Sequence, residues 1–146
     1  MIHKTDLRIG NLILNKQTNS VFEVTSLGVD DLVVCEYKNP SNSGITTYDS
    51  IVGIPFSRQN LNDSKWFEKD GEPNYYIFWG NNPAVTGPIE GLLNIEFPYD
   101  NSTLARVWTH YDSSKEHKPG TATTMEYWHQ LENFVFALTG KEIKSL

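Results

Sequence analysis

The sequence predicts an α+β fold: a small N-terminal SH3-like β-barrel followed by an antiparallel β-meander packed by a C-terminal α-helix. Three observations predict it. Residues 7–56 hold short runs of β-branched and aromatic residues separated by polar turn residues. A second set of such runs fills residues 75–111. Only one long segment, close to the C-terminus, has a helical period. The expected organisation is 1–56 as a β-barrel-like module, 57–74 as a short helix and linker, and 75–146 as strands plus helix, all in one compact unit.

In chain order, Leu12-Ile13-Leu14 is a first strand, entered after Gly10-Asn11. The polar run Asn15 to Ser20 turns the chain into Val21 to Leu27, where Phe22 and Val24 share a face. Gly28 to Asp31 reads as a turn, and Leu32 to Tyr37 is rich in strand formers. Asn39-Pro40-Ser41-Asn42-Ser43-Gly44 is expected to be a loop, because Asn, Pro, Ser and Gly punctuate structure. Ile45 to Ile54 resumes as an extended segment, stopped by Pro55. Short strands of this kind bury little as a flat stack, which is why a small barrel is predicted. Ser57 to Lys69 is expected to hold a helical turn or two, with Ser57 as N-cap and Leu61, Trp66 and Phe67 pinning it to the core.

The second half opens with Tyr75 to Trp79, a strand by its aromatic and β-branched content. Leu93, Ile95 and Phe97 then alternate on one face, and Leu104 to Tyr111 gives another strand. Asp112 to Gly120 is a polar loop. In the final helix Thr123 and Glu126 fit a capping box, and Gly140 suits a left-handed C-terminal cap. Met125, Tyr127, Trp128, Leu131, Phe134, Val135 and Leu138 form its apolar face, which is expected to cover the meander.

Composition narrows the function classes. Net charge is −6, and the 12 Lys and Arg form no run, so counterion release from a polyanion is disfavoured and nucleic acid is not the expected partner. Nothing approaches the apolar length of a membrane span, and the first residues lack the apolar core of a signal peptide, so a cytoplasmic location is expected. Cys35 is the only cysteine, which removes intramolecular disulfides and Cys-rich metal sites.

Three stretches carry a resemblance. Asp6-Leu7-Arg8-Ile9-Gly10-Asn11-Leu12-Ile13 is similar to an "LRIGN" start, and Ile51-Val52-Gly53-Ile54-Pro55-Phe56-Ser57 to an "I-x-PIPLT" segment. Trp128 to Ile143 resembles the "HQLQNLYFALTGEEL" ending. The three occur in this order in a family of small Bacteroidetes proteins often carried by phages and integrated mobile elements. Glu132 stands where that family commonly carries Gln, and residues 92–111 match it poorly. The resemblance implies a phage or mobile-element context; it implies no activity, substrate or catalytic residue.

Candidate sites follow from side-chain chemistry. His129 and Asn133 lie four residues apart on the terminal helix, beside Gln130 and Glu126 and away from the main apolar face. They form either a recognition stripe or a hydrogen-bonded pair tying the helix to a neighbouring carbonyl, and the second reading carries more weight. His110, Asp112 and His117 have ligand types suited to zinc or iron, but no helical zinc motif accompanies them, and solvated loop residues are the more economical reading. Cys35 lies inside a β-run, where an inert thiol is the common case. Trp79, just before Gly80-Asn81-Asn82, is the aromatic residue singled out for an exposed binding surface. These features point to a non-enzymatic interaction or accessory protein whose partner is another protein, with no cofactor. The alternatives are a small metal-dependent or His-based hydrolase and a nucleic-acid-binding accessory protein.

Overall fold

The computed structural model describes residues 2–63, 67–69, 75–78, 93–97, 104–109, 123–140 and 142–143. The chain is α+β, built from antiparallel strands and a C-terminal helix. It divides into two units, Met1–Pro55 with Tyr127–Glu142, and Phe56–Glu126 with Ile143–Leu146. Among the described residues no helix is long and apolar enough to cross a membrane.

The first unit contains β1 (Leu12–Asn15), β2 (Val21–Leu27), β3 (Asp31–Glu36), β4 (Asn39–Thr47) and β5 (Ile51–Gly53), ordered β4-β3-β2-β1-β5. All neighbouring pairs are antiparallel. A 3-10 turn, Tyr48–Ser50, separates β4 from β5, and β5 returns to pair with β1. No pairing joins β4 to β5 among the described residues, so the sheet is open there. Alternation places Ile13, Val24, Leu32, Val34 and Ile51 on the inner face, where Ile2 and Leu7 join them and Phe22 and Tyr48 pack at the margin.

The expected loop at Asn39–Gly44 is corrected: these residues open β4. Pairing with β3 overrides their poor strand propensity, as edge position allows. The loop character persists locally, because Glu36 faces Asn39 while Cys35 faces Ser43, leaving Pro40, Ser41 and Asn42 outside the ladder.

In the second unit, α1 (Arg58–Asp63) starts after Ser57, whose Oγ accepts the Asn60 N–H at 3.2 Å. Within this helix Leu61 is fully buried. Phe67 lies in β6 (Phe67–Lys69), which pairs with β7 (Tyr75–Phe78). β8 (Leu93–Glu96), β9 (Ala105–Thr109) and β10 (Thr123–Met125) complete the order β10-β9-β8-β7-β6. Ile95, Phe97, Ala105, Val107 and Met125 are buried, as alternation requires, and Phe56 stacks on Phe97 with centroids 5.6 Å apart.

The terminal helix α2 spans Trp128–Thr139. It begins later than the Thr123–Glu126 capping pattern suggests, because Thr123, Thr124 and Met125 pair with β9 as an edge strand. Tyr127 is the N-cap instead, and the Gln130 side chain reaches back to accept its N–H at 3.0 Å. Gly140 closes the helix at φ 69°, the left-handed cap the sequence predicts, donating its N–H to the Phe136 carbonyl at 2.7 Å. α2 belongs to the first unit, where the Trp128 N–H donates to the Ile54 carbonyl at 2.8 Å and Pro55 bridges Tyr127.

Candidate functional site

The densest polar cluster among the described residues is a seam in the first unit between the start of β1 and one side of α2. Its base is a turn. The Asn11 N–H donates to the Arg8 carbonyl at 3.2 Å, and Gly10 sits at φ 94°, the conformation a type II turn requires of its third residue. The Asn11 Oδ1 then accepts the Arg8 N–H at 2.9 Å, which fixes the amide's orientation.

With the oxygen so engaged, the Asn11 Nδ2 points at the helix. It donates to Glu132 Oε2 at 3.1 Å and to Asn133 Oδ1 at 2.9 Å. The Leu12 N–H donates to the same Glu132 oxygen at 3.1 Å. Asn133 returns the connection by donating its Nδ2 to the Asp6 carbonyl at 2.7 Å. Asn11 and Glu132 are fully or almost fully buried, so the two bonds that Glu132 accepts, from Asn11 and from Leu12, are made where water does not compete. Leu12, Trp128, Leu131 and Val135 are buried as well.

An outer layer surrounds the turn. Arg8 Nη1 lies 3.0 Å from Glu142 Oε1, and the guanidinium carbon stands 4.2 Å over the Phe136 ring. The positive φ at Gly10 is what selects glycine in this turn, since the nearest atom to an added Cβ, 2.6 Å away, is the end of the flexible Glu142 side chain.

His129 occupies the same helix side at the N-terminal end. It is buried, with 1 % of its surface exposed, stacks on Tyr127 at 5.7 Å, and its Nδ1 has no hydrogen-bond partner among the described residues. Burial lowers its pKa to about 4, against the opposing pull of the Asp6 charge, so the ring is neutral at pH 7.

The structure therefore places the helix stripe inside the unit. His129 is enclosed, Gln130 is half-buried and caps the helix, and Asn133 bridges Asn11 and Asp6. Trp79, His110, Asp112 and His117 lie outside the described residues. Among the described residues no group of three or more His, Cys, Asp or Glu is placed to hold a metal ion. Spacing on the helix singled out His129 and Asn133 but missed Asn11 and Glu132. No local spacing pointed to them, because the two residues lie 121 positions apart.

What the seam does chemically is position a helix. A carboxylate taking two N–H donors, and an amide fixed at both ends, hold α2 in one register on β1. Comparison of the chain with protein-family models, curated proteins and solved structures gives no match.

Proposed function

We propose that this chain is a protein-interaction or accessory module of phage or mobile-element origin, acting in the bacterial cytoplasm by binding another protein. We read its first unit as SH3-like. In support, β1 to β4 form a meander and β5, after a 3-10 turn, returns to pair with β1.

The observation that carries the interaction reading is the outer edge of β4. Among the described residues this strand pairs only with β3, every residue from Asn39 to Ile45 is exposed, and Ile45 beside that edge is 74 % exposed. Val29, at the tip of the β2–β3 hairpin, is equally open. A strand edge with unsatisfied backbone groups recruits another strand, and the apolar side chains beside it supply specificity.

The test uses the tagged full chain as bait in host or infected-cell lysate, with and without nuclease, alongside an Ile45→Lys variant. A stoichiometric protein that survives nuclease and is lost with I45K supports the reading. Partners that vanish with nuclease would replace it with a nucleic-acid-binding function. A bait that retains nothing counts against it.

A further inference from the structure

We draw no further inference here: the strongest candidate, the exposed edge of β4 with Ile45 beside it, carries nothing beyond the interaction reading, because nothing in the structure shows what covers it.

Discussion

Asn11 is the residue on which the first unit's polar seam depends, since its amide accepts from Arg8 and donates to both Glu132 and Asn133. Replacing it with Ala strands buried groups at both ends, and the expected loss is about 3 kcal/mol in urea unfolding. Glu132→Gln keeps an acceptor oxygen for Asn11 and Leu12, so its cost should stay within about 1 kcal/mol. Equal losses for the two variants would contradict this account. His129 makes a pH prediction. Its pKa falls from 6.5 to about 4 on folding, so between these values the unfolded chain binds more protons than the folded one. Its contribution is therefore present above pH 6.5 and lost as pH falls toward 4, with an upper bound of about 3 kcal/mol. His129→Gln should flatten the pH dependence of the urea midpoint in that window relative to the native chain. Spacing alone revealed His129 and Asn133; their surroundings were not legible, because Asn11 lies 121 positions from Glu132.

At the scale of elements, the start of α2 is held by packing that no capping rule contains. The Tyr127 ring covers Gly53 so closely that a Cβ there would lie 2.5 Å from its Cδ1. Gly53→Ala should cost about 1–3 kcal/mol through overpacking, and much less when Tyr127 is also Ala. Additive effects in that double-mutant cycle would refute the contact. The helix end was legible because a left-handed residue has a local chemical signature, and the start was not, because β9 claims Thr123–Met125 by hydrogen bonding. The same competition explains β4. Its Asn, Pro, Ser and Gly residues are poor strand formers individually, yet β3 offers them a ladder.

For the whole molecule, the decisive fact is that the first unit is made from two separated pieces of chain. The chain leaves it after Pro55 and returns at Tyr127, and these two residues pair as an antiparallel bridge. Joining Pro55 to Tyr127 through a short Gly-Ser linker, with residues 56–126 removed, should therefore give a protein with a single cooperative melt. A chain lacking that transition would show that the first unit depends on the second. Truncation after Glu126 is expected to destabilise the first unit, which loses the acceptors that Glu132 and Asn133 present to Asn11. Amide exchange in β1 is the measurement that reads this, and unchanged protection there would argue that α2 is dispensable.

By itself, the sequence determined what is local: the α+β class, β1 to β3, the alternation of β8 and β9, the Ser57 cap of α1 and the Gly140 end of α2. Periodicity and capping are properties of neighbouring residues and are read within a few positions. Tertiary structure decided the strand identity of β4, the delayed start of α2, the helix's membership of the first unit and the burial of His129 and Glu132. Each of those depends on which distant segment supplies hydrogen bonds and apolar cover, and local propensity yields to those contacts when they form.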